Sequence, residues 1–438
     1  MLRLVFVILI ILVGVYFSVQ GPFYALLFYL WNAYFRPEYW VWGDPISQLR
    51  ISLVVGSFLL IATVPAIGRF RLNWRVALLL LFLTQSMVSL AYAEHPSWSQ
   101  PLWIEFLKVI IITVLITFLV SDLKRYRLTL LVIGYSLGLE TAKQGWAQMI
   151  LNPGATNANQ SPFLGDNNGV AMGVLMLVPI FVSLTQTANS RWERFLHRFF
   201  IVGLVYRAIS TYSRGGFIAA GVLAVITVLR SPRKLRTLVV MGALGWAVLS
   251  VMPTEFWDRM DTIDAPTEQR DTSAAGRIHF WEVGTWMAAA KPLTGVGFSG
   301  FRASYNSYET NTDKWGEDRQ AHSAWFGTMA EMGYPGFVLF VAIIGGALLS
   351  CAQAKKRAKA TSMKEVGIYA TQMQSTLLVF ITGSTFLSSQ YSEMIWHMVG
   401  LTIALERIQR EAATAPVPVA IAEPPRPMQA AGRTAFTR

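Results

Sequence analysis

Cysteine is almost absent from this chain, since Cys351 is the only one among its 438 residues. A single thiol cannot form an intramolecular disulfide, and it cannot supply the paired thiolates that bind metal ions. The longest polar segment also has no cluster of His or Cys with the spacing of a zinc site, and its acidic residues are scattered. We therefore predict no metal site.

Charged residues are scarce too. They make up 14% of the chain, whereas hydrophobic residues make up 53% and the mean hydropathy is +0.43. Apolar runs recur along most of the sequence, and a soluble fold could not bury them. The pattern predicts an all-α polytopic membrane protein with about 12 transmembrane helices. The predicted spans begin near Leu4, Ile51, Val76, Trp103, Leu128, Val170, Phe199, Phe217, Leu238, Gly336, Val366 and Ile395.

The net charge of +12 is distributed unevenly. Basic residues occur in short blocks between the predicted spans, such as "GRFRLNWR", "DLKRYR" and "RSPRKLR". Cytoplasmic loops of membrane proteins carry such an excess of Lys and Arg. We therefore assign the blocks, and with them both termini, to the cytoplasmic side, and we expect no nucleic-acid partner.

This topology divides the chain into four parts. Residues 1–251 are predicted to form N-terminal transmembrane helices, about ten spans, and residues 252–333 one large periplasmic loop that contains short helices and catalytic residues. Residues 334–408 are predicted to form C-terminal transmembrane helices, and residues 409–438, rich in Pro and Ala, a disordered cytoplasmic tail. Residues 22–35, rich in aromatic side chains, are predicted to lie at the membrane interface rather than to span it.

The stretch "TYSRGG" lies between two hydrophobic runs at the outer face of this topology. It places Arg214 at the membrane surface, with Arg207 deeper along the preceding helix. An arginine side chain at such a position often extends to a lipid phosphate group. A ligand is favoured here because positive charge runs against the distribution elsewhere, and because Gly215 and Gly216 let a large molecule approach the backbone.

The large loop carries the other polar candidates. A helix predicted over "RIHFWEVGTWMAAAKP" begins at Arg277, which is either an exposed charge or an anion ligand supported by the helix N-terminus. His322 ends the polar loop in "AHSAWFGTMAEMGYPGF" and leads into an apolar helix that carries Glu331 and is broken at "GYPG". A histidine at this boundary, close to other polar groups, is a candidate for acid–base chemistry.

These motifs together resemble a known family. "SRGG", then "R…W" with "P…GVG", then "AHS…EMGYPG" follow one another across a long outer loop between late spans. Their order and spacing are similar to those of the O-antigen ligase and polymerase superfamily of bacterial envelopes. The opening "GPFYALLFYLWNAYFRPEYWVWG" also looks like the branch of O-antigen ligase-like proteins or O-glycosylation ligases.

The resemblance implies a GT-C-like glycosyltransferase of the bacterial inner membrane, with a periplasmic active site and without cofactors. Its donor would be a glycan on undecaprenyl diphosphate, its acceptor a hydroxyl of the lipid A core, and membrane lipids would surround it. Arg214 and Arg277 fall on the diphosphate-binding arginines of the family, with Arg207 as a further candidate. His322 falls on its essential histidine. Three more residues would shape the site: Asp166 and Asn167 in "GDNNG", and Glu331.

The residue types suit that chemistry. Departure of the diphosphate develops negative charge, which preorganised guanidinium groups stabilise in a partly desolvated cavity. A base such as His322 would activate the acceptor hydroxyl. No pair of carboxylates indicates a covalent glycosyl intermediate, so we expect direct displacement with inversion.

Two other activities with the same donor stay open, O-antigen polymerase and protein O-glycosylation ligase, because they differ only in the acceptor. A polysaccharide transporter is a different class, in which related halves and charges near the membrane midplane would be expected. The sequence has no clear internal repeat, and its polar residues gather on one side. This distribution disfavours transport.

Overall fold

The chain is almost entirely helical in the parts that the structure describes. The computed structural model describes residues 2–41, 50–157, 161–250 and 272–414, together with residues 254 and 257. No β-strand occurs within these ranges. In chain order the helices are α1 Leu2–Ser18, α2 Pro22–Phe35, α3 Pro37–Trp40, α4 Ile51–Thr63 with a 3₁₀ continuation Val64–Arg69, α5 Trp74–Ala91, α6 Pro96–Leu119, α7 Leu123–Leu151, α8 Asn167–Gln186, α9 Arg191–Ile209, α10 Arg214–Arg230, α11 Lys234–Ser250, α12 Thr272–Ala290, α13 Phe301–Tyr308, α14 Thr312–Trp315, α15 Ala324–Ala360, α16 Lys364–Ser384 and α17 Glu393–Thr414.

Several of these helices are suited to a bilayer. Five helical segments of the described chain are long and apolar enough to cross a membrane, and α1 is apolar but shorter. This protein is therefore a multi-pass membrane protein, as predicted, whereas the figure of about 12 spans and the GT-C-like architecture stay predictions. The five segments are Ile51–Arg69, Trp74–Ala91, Pro96–Leu119, Asn167–Gln186 and Ala324–Ala360.

α8 is the most enclosed of the candidate spans. It packs against α7, α9, α10 and α16, and most of its side chains from Val170 to Leu184 are buried. α7 and α9 cross closely beside it, since a Cβ on Gly145 would lie 1.8 Å from the backbone oxygen of Gly203. Small residues permit this approach between helices in a membrane. This packing therefore holds α8, including its N-terminal end, in a fixed position in the bundle.

α15 is interrupted near its N-terminal end, as the "GYPG" motif predicts. Gly333 has φ of 65° and ψ of −175°, which is not helical, and a Cβ there would lie 2.5 Å from the backbone oxygen of Pro292. The Tyr334 N–H donates to that same oxygen at 2.9 Å. The segment after α12 therefore packs against α15 at this break.

α12 and α13 form a small hydrophobic core of their own outside the main bundle. Phe280, Met287 and Tyr305 are buried in it. An ion pair of 2.9 Å joins Lys291, just after α12, to Glu94 in the turn between α5 and α6. This pair fixes the outer segment to the bundle.

Two elements differ from their predicted bounds. α12 begins at Thr272, so Arg277 lies inside the helix and not at its start, because the preceding "SAA" favours helix formation. α17 continues to Thr414, past residue 409, where the tail is predicted to begin. Residues 415–438 of that tail and residues 258–271 of the predicted loop lie outside the described residues.

The aromatic segment near the N-terminus forms α2. It packs against α1, α4, α6 and α7, and Leu26 and Leu30 are fully buried. Its predicted position at the membrane interface stays a prediction.

Candidate active site

Two helices begin side by side at one end of the bundle, each with a polar cap. Asp166 caps α8, since its Oδ1 accepts a hydrogen bond of 2.9 Å from the Gly169 N–H. Ser213 caps α10 by accepting from the Gly216 N–H at 3.1 Å. The Ser213 hydroxyl also donates to Asn168 Oδ1 at 2.7 Å. The N-termini of α8 and α10 are thereby joined, and their aligned dipoles favour an anion at this end.

The turn before α10 places Arg214 at the first position of that helix. Tyr212 has φ of 53°, in the left-handed region that non-glycine residues seldom adopt, and its hydroxyl donates to the Gly154 oxygen. Gly216 faces α8, where a Cβ would lie 2.6 Å from the Cβ of Ala171. A larger residue at Gly216 would therefore push the start of α10, and Arg214 with it, away from α8.

α12 brings Arg277 towards the same region. Arg277 and Trp281 are four residues apart, so they share one face of α12. The Trp281 ring lies 6.3 Å from that of Phe386 between centroids. Phe386 in turn packs on Gly215, whose added Cβ would lie 3.4 Å from the Cβ of Phe386. Phe386 thus lies between the segments that carry Arg277 and Arg214.

His322 precedes the first turn of α15 and has a left-handed φ of 47°. Such strain costs about 1–3 kcal/mol in a non-glycine residue and is concentrated at functional sites. Burial lowers the pKa of His322, and the positive charges of Arg277 and Arg319 lower it further, whereas the negative charge of Asp166 acts in the opposite direction. The imidazole is therefore neutral near pH 7 and able to accept a proton.

Arg207 is the most buried of the predicted arginines, with 1% exposure. Its Nε donates to Gln144 Oε1 at 3.1 Å, and its Nη1 donates to the backbone oxygen of Asn157 at 3.1 Å. The Asn157 N–H donates to the Ser210 oxygen at 2.7 Å. These contacts hold the loop after α7 against the end of α9, next to the turn that carries Arg214.

A cavity of about 680 Å³ opens beside these groups, a size typical of ligand sites. Its wall includes Asp166, Ala321 next to His322, and Glu331. The Glu331 carboxylate is buried and accepts from Gln390 Nε2 at 3.0 Å. Asn167 is the first residue of α8, directly behind Asp166. The residues predicted to shape the site therefore lie in or next to this wall.

The three predicted catalytic residues do not themselves line this cavity. Ser213 and Gly215, on either side of Arg214, line a smaller recess that shares Met172 and Leu387 with the cavity wall. Arg214 therefore lies between two residues of the smaller recess.

Some buried polar atoms around these residues lack a hydrogen-bond partner within the described part of the chain. They are Ser323 Oγ next to His322, Ser388 Oγ in the cavity wall, and Trp281 Nε1 on the face of α12 that carries Arg277. Buried polar groups are normally paired, so water or a polar ligand would complete the pairing of these atoms. Across the described residues, no group of three or more His, Cys, Asp or Glu side chains is arranged to hold a metal ion.

Sequence reasoning missed three features of this site. Arg319 contributes to the lowered pKa of His322, and only the folding of the loop brings these two residues together. The polar segment Ser388–Glu393 lines the cavity; its signal, a polar run between apolar stretches, is visible in the sequence. The Ser213 cap is also recognisable, because serine often precedes a helix.

His279 also has a structural setting that its sequence surroundings do not suggest. Its Nε2 pairs with the Glu309 carboxylate, and its ring stacks on Trp315 with centroids 4.4 Å apart. The Tyr305 hydroxyl donates to the same carboxylate at 3.0 Å. This cluster ties α12 to α13 and α14, and so fixes the helix that carries Arg277.

Two parts of the chain match known protein families. Residues 199–341 match a family model described as O-antigen ligase. The predicted resemblance to the O-antigen ligase-like superfamily is confirmed over these residues, which include Arg214, Arg277 and His322. Residues 1–182 match a family of unknown function (DUF5935). No curated protein matches the chain.

The site joins the two matched regions. Asp166 and Asn168 belong to the region of unknown function, whereas Ser213 and His322 belong to the O-antigen ligase region. The hydrogen bond between Asn168 and Ser213 therefore connects the two family matches at the site itself.

Proposed function

We propose that this protein transfers a glycan from undecaprenyl diphosphate to a hydroxyl of the lipid A core at the periplasmic face of the bacterial inner membrane. The observation that carries the proposal is the position of His322, which is close enough to Arg277 and Asp166 for their charges to act on it. It lies at the end of the bundle where α8 and α10 begin side by side. The match to the O-antigen ligase family supports this type of reaction.

The donor diphosphate would bind where positive charge converges. Arg214 and Arg277 supply guanidinium groups, and the starts of α8 and α10 add the positive ends of their dipoles. Arginine keeps its charge in a partly desolvated site where lysine readily loses a proton. Arg207 would contribute from its buried position at the end of α9. These groups stabilise the negative charge of the departing diphosphate.

The transfer would be a direct displacement. The acceptor hydroxyl oxygen forms a bond to the anomeric carbon while the bond from that carbon to the diphosphate oxygen breaks, and undecaprenyl diphosphate leaves with the electron pair. His322 takes the hydroxyl proton, which its lowered pKa allows because the ring is neutral beforehand. Attack opposite the leaving group inverts the anomeric centre.

Asp166, Asn167 and Glu331 would shape the site rather than react. Asp166 fixes the first turn of α8 through its bond to Gly169. Glu331 accepts from the Phe301 N–H at 3.3 Å as well as from Gln390, so it joins α13 to the polar segment before α17.

Transfer by the purified protein tests the proposal. The protein in lipid nanodiscs would receive a labelled glycan on undecaprenyl diphosphate, with lipid A core or a Ser/Thr peptide as acceptor. We expect labelled lipid A core and release of undecaprenyl diphosphate. Label on a longer glycan that stays on undecaprenyl diphosphate would instead identify a polymerase, and label on the peptide a protein ligase. Failure to transfer label to the lipid A core, to a growing glycan or to the peptide would contradict the proposal that this protein is a glycosyltransferase.

A further inference from the structure

A second cavity lies at the opposite end of the bundle from the candidate active site. It has a volume of about 600 Å³ and is bounded by α8, α10, α15 and α16. α8 and α10 begin at the candidate active site, whereas Gln186 and Arg230 at their far ends line this cavity. At 1.5 Å per residue the two sites are roughly 25–30 Å apart along these helices, so the second cavity is a separate site.

The charged residues that line the second cavity are all basic. Lys355 and Lys359 lie four residues apart on α15, on one face of that helix. Lys364 at the start of α16 and Arg230 at the end of α10 complete the set. No Asp or Glu lines the cavity, and none of the four pairs with a carboxylate in the described part of the chain. The cavity therefore holds uncompensated positive charge.

Arg230 is oriented by neutral acceptors on α16. Its Nη1 donates to the Thr371 oxygen at 2.8 Å and to Ser375 Oγ at 2.6 Å, and its Nη2 donates to Gln374 Oε1 at 2.6 Å. Neutral acceptors hold the guanidinium in place without cancelling its charge. Arg230 is thus built into the cavity wall, whereas the three lysines are exposed at its rim.

The rest of the wall combines polar side chains, such as Gln186 and Thr227, with a larger apolar part. The apolar part follows α8 and α10 and includes Val178, Val182, Leu223 and Ile226. A small soluble anion would satisfy the lysines and leave this apolar surface uncovered. A molecule with an anionic head and a hydrocarbon chain satisfies both parts.

We propose that the second cavity binds an anionic phospholipid, with the headgroup phosphate among Lys355, Lys359 and Lys364 and an acyl chain along Val182 and Leu223. Such a lipid would bridge α10 to α15 and α16. Basic pockets between membrane-spanning helices bind acidic headgroups in this way. This site does not depend on the proposed glycan transfer.

Lipid binding by paired charge variants tests the proposal. The full-length protein in a neutral detergent would be titrated with phosphatidylglycerol or phosphatidylcholine, and bound lipid would be counted by native mass spectrometry. We expect phosphatidylglycerol to bind more tightly. The double variant Lys355→Gln/Lys359→Gln should lose about 25-fold in that affinity, about fivefold for each lysine, since a basic residue near an anionic headgroup contributes about 1 kcal/mol.

The matched control removes the same charge from the same end of the bundle. Lys356 is exposed beside Lys355 but does not line the cavity, and Lys124 is the exposed second residue of α7. Tyr126 packs against Tyr369 with ring centroids 5.1 Å apart, so α7 begins at this end too. Lys124→Gln/Lys356→Gln should keep affinity within about twofold, because general attraction between exposed charges is weak.

Three outcomes would overturn the proposal. Equal affinity for both lipids would show that charge is not recognised, and equal loss in the control variant would show a diffuse effect rather than a site. Competition by inorganic phosphate or glycerol phosphate at the lipid's own concentration would identify a site for soluble anions. The variant Lys355→Arg/Lys359→Arg should retain affinity, which distinguishes lost charge from a damaged fold.

Discussion

α4 and α8 are both apolar enough to cross a membrane, yet they have different neighbours. With its 3₁₀ continuation, α4 has 22% of its most apolar stretch buried, whereas α8 has 83% buried. Ile61 of α4 is 70% exposed, and Leu177 of α8 is fully buried. Lipid tails and side-chain neighbours are both apolar, so hydropathy alone does not separate the two environments.

The difference follows from what each helix has to position. α8 begins at Asp166 and Asn167, and its first turn joins α10 through Asn168 and Ser213. A polar helix start can bind a ligand with precise geometry only when packing fixes the helix, and protein neighbours fix it better than lipid does. α4 carries no candidate site residue, and the large exposed part of its apolar stretch is suited to contact with lipid.

The largest expected effect on activity comes from substituting the candidate catalytic residues near the start of α8. His322→Ala should lower turnover about 100-fold or more, a typical contribution of a general base, and leave donor binding largely intact. Arg214→Lys or Arg277→Lys keeps a positive charge but loses the bidentate fork, so donor binding and turnover should both fall. Transfer kinetics and donor affinity would be measured for each purified variant.

The exposed histidine His95 supplies the control for these variants. His95→Ala should leave both quantities unchanged. Donor affinity that collapses in His322→Ala as far as in the arginine variants would show that His322 is a donor ligand or a structural residue, and the assignment as a base would be wrong.

A smaller effect is expected from two glycines of α10 that face different surroundings. Gly216 meets α8, where an added Cβ would lie 2.6 Å from the Cβ of Ala171, whereas nothing lies within 4 Å of a Cβ on Gly221. Gly216→Ala should destabilise the protein by about 1–3 kcal/mol, as overpacking does, and Gly221→Ala should change stability little. Thermal unfolding of both variants in one detergent would measure this. Equal stabilities would mean that α8 is not packed as tightly as we describe.

The sequence predicts much of the fold, and less of the site. Apolar runs locate the five candidate spans, "GYPG" locates the break at Gly333, and the motif order indicates the family. The start of α12 at Thr272 is not predicted, although the "SAA" before Arg277 favours a helix that begins earlier. Contacts between distant residues, such as Asn168 with Ser213, are set by packing and cannot be inferred from local patterns.

A shift of the pH profile is a still smaller effect. His322 acts as a base only when neutral, and burial lowers its pKa from the usual 6.5, so the decline of kcat/KM on the acid side should lie at lower pH than for a histidine of ordinary pKa. Arg277→Gln removes a charge that lowers the pKa and should move this decline to higher pH. Asp166→Asn removes the opposing charge and should move it to lower pH. The pH profile of kcat/KM would be measured for each variant. Shifts of both profiles in the same direction would contradict the opposite effects of Arg277 and Asp166 on His322.

The smallest expected effect is that of a chelator. Among the described residues no three His, Cys, Asp or Glu side chains form a group that could hold a metal ion, and Asp166 at the start of α8 already accepts the bond that caps the helix. We therefore expect arginine and helix dipoles, rather than a bound cation, to stabilise the diphosphate. Transfer should continue at its full rate in excess EDTA, measured beside a magnesium-dependent glycosyltransferase that the same treatment stops. Loss of activity that magnesium or manganese restores would show that a metal ion shares the diphosphate charge, and that the packed start of α8 provides only part of the site.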